Sequence, residues 1–474
     1  MKKLIPLLVL FVFLFSCEKD NTNPENPNSG TDTLAIYFIN DQHGQLENFA
    51  KIKHIVDGER DTNQHVLLVC AGDMFSGNPV VDQYEEKGFP MIDIMNQTGF
   101  DVSVLGNHEF DYGQKFLDKR MKQAEFSWVC ANIDTESSDL SQPDPFTTIE
   151  VGDLKVTFLG LVETEGSPTK TIPLTHPWKV TGISFTNYLE SIKDYTDLKS
   201  EEESDVLIAL THLGTSADLD LAQRYPEFDA VIGGHSHDRV GQLVNGTPVL
   251  QAGSHLNYLG RLQLIIDKGT IISQSAELIN LNTYQEVDTD LQSKITAYNT
   301  PPIYDEVIGF ATNYLNRDEI GCFYTNALKE YYHTDASFQN SGGIRSEIDE
   351  GDITLHEIYN MDPFENGVLV FSMTAGEIRE FLGQTGIGFH VSGLQLTVDG
   401  QSLIIRDEAG KEYQEDDVIT VTINDYIPAV YEDHFPIEKA VVQDITTAES
   451  IIQYLKTIDS TIEYDECNHY FRYN

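Results

Sequence analysis

Basic residues are scarce in this chain of 474 amino acids, which has 30 lysines and arginines against 76 aspartates and glutamates. The formal net charge at pH 7 is therefore -46. Because such an acidic surface repels polyanions, long nucleic acid is excluded as an expected partner. A small anionic ligand remains compatible with this charge, since metal ions bound in a site set the local field there.

Cysteine is also rare, with five residues in the whole chain. No two of them have a C-x-x-C or zinc-knuckle spacing, which excludes the corresponding redox and zinc motifs. Cys70 and Cys130 each end an apolar run typical of a strand, so we expect both to be buried in the core. Cys322 and Cys467 could pair in an oxidising compartment, but the spacing leaves this open.

No apolar run is long enough for an ordinary transmembrane helix, and the longest, Leu4 to Phe15, follows two lysines at the N-terminus. It runs into Leu14-Phe15-Ser16-Cys17, which resembles a bacterial lipobox, where cleavage precedes a lipidated cysteine. We therefore expect a signal peptide over 1–16 and a lipid anchor with a flexible tether over 17–32. The expected location is the cell envelope, on the outer membrane, with the periplasmic or surface side left open. A plain secretory peptide is the alternative.

Short apolar strands alternate with helical stretches from Leu34 to Ile279, a pattern that predicts an α/β sandwich. The polar stretch at 280–302 is expected to be an interdomain helix and linker, which gives domains at 33–279 and 303–474. The stretch from Thr247 to Leu278 is expected to form a hairpin-like closing unit. The strands predicted most clearly are Ala35–Asn40, Val66–Cys70, Val102–Leu105, Trp128–Asn132, Val156–Leu161, Val206–Thr211 and Ala230–Gly233.

Polar motifs follow five of these strands directly. They are Asp41-Gln42-His43, Ala71-Gly72-Asp73, Gly106-Asn107-His108-Glu109-Phe110-Asp111, Thr211-His212 and Gly233-Gly234-His235-Ser236-His237. A lone D-x-H or Gly-Asp motif is more often a capped turn than a metal site, and Gly-His-Ser-His alone is compatible with a surface turn. Carboxyl ends of strands converge on the ligand crevice of α/β folds, so five such motifs in order are expected to meet in one site.

The ligands offered by these motifs are nitrogen and oxygen atoms without thiolates. This set suits a pair of divalent ions of the zinc, manganese or iron type better than calcium. A carboxylate such as that of Asp73 can bridge two ions, which then share a hydroxide as the nucleophile. The sequence therefore predicts a two-metal hydrolytic site.

The series NDQHG, AGD, GNHEFD, THLG and GGHSH resembles the calcineurin-like metallophosphoesterases. Together with the second region, GNHEFD resembles their 5'-nucleotidase branch, which includes periplasmic UDP-sugar hydrolases. The resemblance implies an N-terminal four-layer α/β/β/α sandwich followed by a C-terminal mixed α/β substrate-binding domain. It implies two metal sites that share Asp73. One ion would be held by Asp41, His43, Asp73 and His237, and the other by Asp73, Asn107, His212 and His235.

By the same resemblance, His108 is the catalytic histidine and Asp111 is its partner. A histidine beside a metal-binding asparagine can reach the phosphoryl oxygens without being a ligand. It can steady the transition state and protonate the leaving alkoxide while the aspartate orients the ring. A helix N-cap is the alternative role for Asp111.

In the second region, Asn340-Ser341-Gly342-Gly343-Ile344-Arg345 resembles the family's loop that contacts nucleoside and phosphate. Phe364 resembles the aromatic residue that stacks on the base, with a core position as the alternative. Tyr431-Glu432-Asp433-His434-Phe435 stands where the family has a Gly-Gly-Asp-Gly-aromatic run, so the resemblance implies Phe435 as a second ring. The implied substrate-binding residues are Asn340, Gly342, Gly343, Arg345, Phe364 and Phe435.

The expected activity is hydrolysis of nucleoside monophosphates to nucleoside and phosphate, with one substrate engaging both domains. A 2',3'-cyclic phosphodiesterase, a nucleoside-diphosphate-sugar hydrolase and a non-catalytic ligand-binding lipoprotein are the alternatives, and the charge disfavours a nuclease. The expected partners are a small nucleotide and a membrane contacted through the N-terminal lipid only. No obligate protein partner is evident from the sequence.

Overall fold

The computed structural model describes residues 30–300, 302–385, 388–399, 402–458 and 461–464, and the backbone of 12–13 and 471–473. The chain divides into two compact units. The first comprises residues 1–76, 83–175 and 179–299, and the second comprises 77–82, 176–178 and 300–474. Apart from residues 12–13 and 30–32, the predicted signal peptide and tether lie outside the described residues.

Helices occur in both units, and their numbering runs along the whole described chain. The helices are α1 (Phe49–Arg60), α2 (Pro79–Asp82), α3 (Phe89–Thr98), α4 (Gln114–Gln123), α5 (Tyr188–Ser191), α6 (Leu198–Glu201), α7 (Thr215–Arg224), α8 (Thr289–Tyr298), α9 (Arg317–Tyr332), α10 (Leu355–Met361), α11 (Ala375–Thr385), α12 (Tyr426–Val430) and α13 (Thr447–Thr457). Single 3₁₀ turns cover His108–Phe110, Pro177–Val180, Ile192–Tyr195, Pro302–Asp305, Ser341–Gly343 and Ile437–Lys439.

Among the described residues, fifteen strands belong to the first unit. They are β1 (Val12–Phe13), β2 (Thr31–Ile39), β3 (Val66–Cys70), β4 (Val102–Val104), β5 (Ser127–Val129), β6 (Ile133–Asp134), β7 (Phe146–Val151), β8 (Leu154–Val162), β9 (Ser184–Phe185), β10 (Val206–His212), β11 (Ala230–Ile232), β12 (Arg239–Val244), β13 (Thr247–Ala252), β14 (Tyr258–Asp267) and β15 (Thr270–Asn280). The first sheet has the order β1-β15-β14-β2-β3-β4-β5, the second has the order β12-β13-β11-β10-β8-β7, and β6 pairs with β9.

The core of the first unit lies between its two large sheets. Leu34, Ile36 and Phe38 alternate along β2 and pack in one buried cluster with Val156 and Phe158 of β8. Burying each such side chain contributes about 1.5–3 kcal/mol. Helix α1 contacts β3 on the outer side of the first sheet, and α7 packs with β11 and β13 outside the second. The predicted α/β/β/α arrangement is confirmed.

The predicted closing unit is divided between the two sheets. Strand β13 pairs with β11 in the second sheet, whereas β14 and β15 form a hairpin on β2 of the first sheet.

Helix α8, within the predicted linker, packs against α1 and α3 of the first unit. Its Tyr298 hydroxyl donates to Asp93 Oδ2 at 2.6 Å. The helix therefore belongs to the first unit, which ends at residue 299.

Three sheets form the second unit. Its strands are β16 (Val307–Ala311), β17 (Ala336–Asn340), β18 (Gly351–Thr354), β19 (Gly367–Thr374), β20 (Phe389–Ser392), β21 (Leu394–Asp399), β22 (Ser402–Asp407), β23 (Val418–Asn424), β24 (Val441–Thr446), β25 (Thr461–Ile462) and β26 (Phe471–Tyr473). The sheet orders are β18-β16-β25, β20-β17-β23-β19-β24 and β22-β21-β26. The second unit is the predicted mixed α/β fold.

Helix α9 begins with a capping box in which the side chains of Asn316 and Glu319 each accept from the other's backbone N–H.

Cys322 in α9 is disulfide-bonded, and its partner lies outside the described residues. Cys70 and Cys130 are buried free thiols, as predicted. Among the described residues no helix has the length and apolar character needed to span a membrane.

Candidate active site

The five predicted loops meet at the carboxyl ends of their strands. Strands β2, β3 and β4 run parallel in the first sheet, and β10 and β11 run parallel in the second. Backbone hydrogen bonds join the loops, because Asp41 N donates to Gly72 O at 3.0 Å and His43 N donates to Asp73 O at 3.1 Å. The expectation that these loops lie together holds in the structure.

One group of ligand atoms comprises Asp41, His43 and His237, whose nitrogen and oxygen atoms lie within 4.8 Å of one another. His237 Nε2 is 3.4 Å from Asp41 Oδ1. His43 Nε2 is 2.9 Å from His237 Nε2. These are three of the four residues predicted to hold the first ion.

A second group comprises Asp73, His212 and His235, with the same 4.8 Å limit. His212 Nε2 lies 3.0 Å from Asp73 Oδ2, and His235 Nδ1 lies 2.9 Å from Asn107 Oδ1. All four residues predicted for the second ion are therefore adjacent. Asp73 also groups with His43 and His108, so its carboxylate is common to two candidate ligand groups.

Five of the seven predicted ligands have a backbone conformation that is unusual for non-glycine residues. Such a conformation costs about 1–3 kcal/mol per residue and persists where the surrounding structure enforces it. The concentration of strain at one place supports a functional role for these loops. The φ angles are 52° at Asp41, 46° at His43, 56° at Asp73, 79° at His235 and 58° at His237.

The hydrogen bonds of the histidines fit metal coordination. His212 Nδ1 is 2.7 Å from Ala71 O, and His43 Nδ1 is 3.2 Å from Ser76 O. A neutral imidazole that donates from Nδ1 presents a lone pair on Nε2. His212 Nε2 is buried and has Asp73 Oδ2 at 3.0 Å, without a well-formed hydrogen bond among the described residues. A divalent ion between these two atoms would be bound by both, so the residues present fit divalent metal ions.

Charge at the site depends strongly on the buried carboxylates. Burial disfavours the charged imidazolium of His212, but Asp73 and Asp41 outweigh burial and raise its pKa to about 10 in the metal-free protein. Burial and the charge of His212 lower the pKa of His235 to about 4, which keeps it neutral.

His108 and Asp111 form a tight pair beside the ligands. His108 Nδ1 is 2.6 Å from Asp111 Oδ2, and His108 Nε2 is 3.9 Å from Asp73 Oδ2. Burial opposes the ionisation of Asp111, but His108 outweighs it and lowers the pKa of the carboxyl. The N-cap of α4 is Gly113, so the capping role considered for Asp111 is wrong.

Glu109 is a site residue that sequence reasoning missed. Its buried carboxylate accepts from the backbone N–H groups of Asp73, Met74 and Gly106, which ties two metal loops together. Burial and the charge of Asp73 raise its pKa to about 7. A Cβ on Gly106 would lie 2.3 Å from Asp73 Oδ1, so this approach requires glycine. The signal was a carboxylate within the GNHEFD motif.

In the second unit, the predicted substrate residues belong to two neighbouring segments. Asn340 Oδ1 accepts from Asn424 Nδ2 at 2.9 Å. The Arg345 guanidinium carbon lies 5.7 Å from the centre of the half-buried Phe364 ring. Gly342 is exposed, and a Cβ on Gly343 would lie 2.3 Å from Gln339 Nε2, which explains the glycine there. Substrate binding by these residues stays a prediction.

Phe435 is in a different environment from the one predicted. Only 1% of its surface is exposed. Its ring centre lies 4.8 Å from that of Phe381 and 5.4 Å from that of Phe371, inside the core of the second unit. A buried ring has no face to offer a base, so in this structure Phe435 is a core residue and its assignment as a second base-stacking ring is corrected.

The sandwich and its strand-end ligands are those of a metallophosphoesterase. Residues 34–239 match the calcineurin-like phosphoesterase family, and residues 298–439 match the 5'-nucleotidase C-terminal domain. The chain belongs to the 5'-nucleotidase branch of the calcineurin-like phosphoesterases.

Two curated relatives and one solved structure illustrate the similarity. The trifunctional nucleotide phosphoesterase protein YfkN of Bacillus subtilis is 28% identical over 77% of this chain. The chain spans only 28% of that protein's length, and it spans 40% of the length of another curated relative from the same organism. The 5'-nucleotidase of Vibrio cholerae is 25% identical over 80% of each chain. A 5'-nucleotidase precursor structure from Thermus thermophilus superposes with a TM-score of 0.80 at 23% identity, covering 93% of this chain and 99% of that one, and so shares the fold.

Proposed function

We propose that this protein is a metal-dependent hydrolase that removes the 5'-phosphate from nucleoside monophosphates. The observation that carries the proposal is the position of Asp73, which belongs to the ligand group of His212 and to that of His43. His108 shares a group with Asp73 and His43, and it belongs neither to the Asp41 group nor to the His212 group. This arrangement combines two ion sites with one additional imidazole.

The chain's own residues have distinct tasks in this proposal. When bound, two divalent ions would supply a hydroxide nucleophile near neutral pH and neutralise charge on the phosphate. Ala71 O and Ser76 O orient His212 and His43 through their Nδ1 atoms, so that both Nε2 atoms point toward the ion sites. Glu109 fixes the loops that carry Asp73 and Asn107.

His108 is proposed to act on the leaving group. Asp111, whose carboxyl has a lowered pKa, holds Nδ1 of the ring, so that Nε2 lies on the side of Asp73 and can carry the donated proton. A proton donor held there can protonate the departing nucleoside oxygen and stabilise charge on the phosphate. Such a group typically contributes about 10²–10⁴-fold to the rate.

Nucleotide preference is proposed to come from the second domain, through Phe364 and the loop from Asn340 to Arg345. Phe364 is half buried rather than fully enclosed, and the adjacent guanidinium of Arg345 can bind phosphate with two parallel hydrogen bonds. The Vibrio cholerae relative is named as a 5'-nucleotidase. Hydrolysis of other nucleotide phosphoesters is the second candidate, because the Bacillus subtilis relative is named as a trifunctional nucleotide phosphoesterase.

We further propose that the protein is attached to the cell envelope by a lipid on Cys17. The support is the apolar run at Leu4 to Phe15 that ends in Leu14-Phe15-Ser16-Cys17. The polar stretch after Cys17 would then be the tether of the first domain.

A substrate panel tests the proposed activity. Purified protein loaded with zinc, manganese or iron is assayed for phosphate release from AMP, 2',3'-cyclic AMP, UDP-glucose and an aryl phosphate, each with and without chelator. We expect chelator-sensitive release, fastest from AMP. Faster turnover of the cyclic nucleotide would select the second candidate, and no release under any metal would refute hydrolysis.

A further inference from the structure

Ser76 contacts both the predicted metal ligand His43 and Asp111, the partner of His108. Its carbonyl oxygen is 3.2 Å from His43 Nδ1, and its hydroxyl donates to Asp111 Oδ2 at 2.6 Å. Its backbone N–H donates to the Tyr112 hydroxyl at 3.2 Å. Only 1% of the residue is exposed. One buried serine thus holds a predicted metal ligand and the aspartate that orients His108.

The hydroxyl of Ser76 shares its acceptor with His108. Asp111 Oδ2 receives Ser76 Oγ and His108 Nδ1, each at 2.6 Å, while Thr175 Oγ1 donates to Asp111 Oδ1 at 3.1 Å. Two hydroxyls that bind different oxygens of one carboxylate stop it from rotating. The ring of His108 is then fixed through Asp111, since an orienting carboxylate sets the position of its histidine.

The backbone of Ser76 explains how one residue contacts both groups. Its φ is +64°, in the left-handed region, which costs a non-glycine residue about 1–2 kcal/mol. This conformation turns the carbonyl toward His43 and the side chain toward Asp111. A glycine would adopt the angle without strain, but it would lack the hydroxyl that donates to Asp111.

We propose that Ser76 is a positioning residue that fixes the place of the His108 ring relative to the predicted metal ligand His43. The role acts through Asp111, and it rests on the proposed phosphoester hydrolysis. In this arrangement the donor on His108 Nε2 keeps a fixed place relative to the ion site that includes His43. Protonation of the leaving oxygen therefore depends on the Ser76 hydroxyl.

Two substitutions separate the hydroxyl from the backbone. Ser76→Ala removes Oγ and keeps Cβ, whereas Ser76→Gly removes Oγ and relieves the strain at φ +64°. Both keep the carbonyl that faces His43. Thr175→Val is the matched comparison, because it removes the donor to Asp111 Oδ1 and leaves Oδ2 and His43 untouched.

The kinetic readout is the dependence on the leaving group. We expect both Ser76 variants to lower kcat on AMP by about 10-fold or more, in the range seen when an orienting partner is lost. For an aryl phosphate with a good leaving group, kcat should fall much less. KM and the bound metal content should be unchanged. Thr175→Val should also lower kcat on AMP more than kcat on the aryl phosphate, but by a smaller factor. Equal losses on both substrates, or no loss, would overturn the positioning role.

A double-mutant cycle distinguishes positioning from a general structural effect. In an Asp111→Ala background, Ser76→Gly should cost no more than about 2-fold on AMP, because residues that act in one chain are not additive. A full additional loss in that background would show that Ser76 acts independently of Asp111.

A readout without turnover makes the two proposals separable. In metal-loaded protein labelled with ¹⁵N-histidine, the downfield Nδ1–H signal of His108, assigned by its absence in His108→Ala, should shift or broaden in Ser76→Gly. An unchanged signal overturns the positioning role even where the protein is an active hydrolase. If the wild-type protein hydrolyses nothing, the proposed function fails and the signal still tests the contact.

Discussion

The imidazoles of His43 and His237 face each other with their Nε2 atoms 2.9 Å apart, although 194 positions separate them in the chain. Both residues have positive φ angles, so two strained loops from different sheets are needed to bring these nitrogens together. His43 follows β2 of the first sheet, and His237 follows β11 of the second. The predicted ligand site depends on how the two sheets pack.

Asp73→Ala should reduce both bound metal and turnover. The shared position of Asp73 predicts a loss of more than about 100-fold, because residues that only support ligands already cost about 10–100-fold. Metal content by elemental analysis and phosphate release from AMP measure the effect. Asp220→Ala is the control, since its carboxylate pairs with Arg224 on α7 and belongs to none of the candidate ligand groups among the described residues. Two ions and near-normal turnover in Asp73→Ala would refute the two-metal site.

His108→Ala should leave metal content nearly unchanged and slow AMP hydrolysis by about 100-fold or more. The loss should be smaller for nitrophenyl phosphate, because nitrophenolate leaves without protonation. His54→Ala, on the exposed face of α1, is the matched control. Equal losses on both substrates would show that His108 does not protonate the leaving group, and its role would then be to stabilise charge on the phosphate.

Arg345→Ala and Phe364→Ala should weaken AMP hydrolysis far more than hydrolysis of a small aryl phosphate. Loss of a stacking ring costs about 1–3 kcal/mol per base, which corresponds to about 5–150-fold in kcat/KM. Arg406→Ala controls for loss of charge, since that side chain pairs with Glu412. Equal effects on both substrates would reduce the assignment to a generic phosphoesterase.

Asp362 should make the second unit less stable as pH rises. Burial raises the pKa of this carboxyl to about 6, against an ordinary value of 3.8, although the hydroxyls of Thr447 and Tyr324 donate to it. A raised pKa in the folded state contributes stability below pH 3.8 that is lost as pH rises through 6. A shift of two units corresponds to about 3 kcal/mol.

The test of Asp362 compares Asp362→Asn with the wild-type chain in denaturant at pH 4 and pH 7. The variant should gain stability relative to the wild type at pH 7, because it carries no charge to bury. Asp407→Asn, at the end of β22 and only partly buried, is the control. A stability difference that does not change with pH would contradict the raised pKa.

Cys17→Ser should release the protein from membranes. Residues 18–31 contain no large apolar side chain, so the lipid is the only anchor that the sequence predicts. Fractionation of cells with metabolic labelling by a fatty acid measures the change, and Cys130→Ser, which removes a free thiol, serves as a cysteine control. Membrane association that survives the substitution would contradict the lipid anchor.

The sequence by itself determined much of the fold and the composition of the site. Strand β3 was predicted at Val66–Cys70, as found, because a continuous apolar run between polar loops has few other solutions. The order of the five motifs by itself indicates the family. Short-range features of this kind are encoded locally, by hydrophobic pattern and by residues placed directly after a strand.

The tertiary structure alone decided which groups touch. It divided β13 from β14 and β15 between two sheets, and it buried Phe435 against Phe381. It also gave Glu109 and Ser76 their roles, through backbone contacts and a positive φ that no periodicity encodes. Burial and hydrogen-bond partners depend on segments far apart in the chain, and the free energy of packing them together is not a property of any one segment.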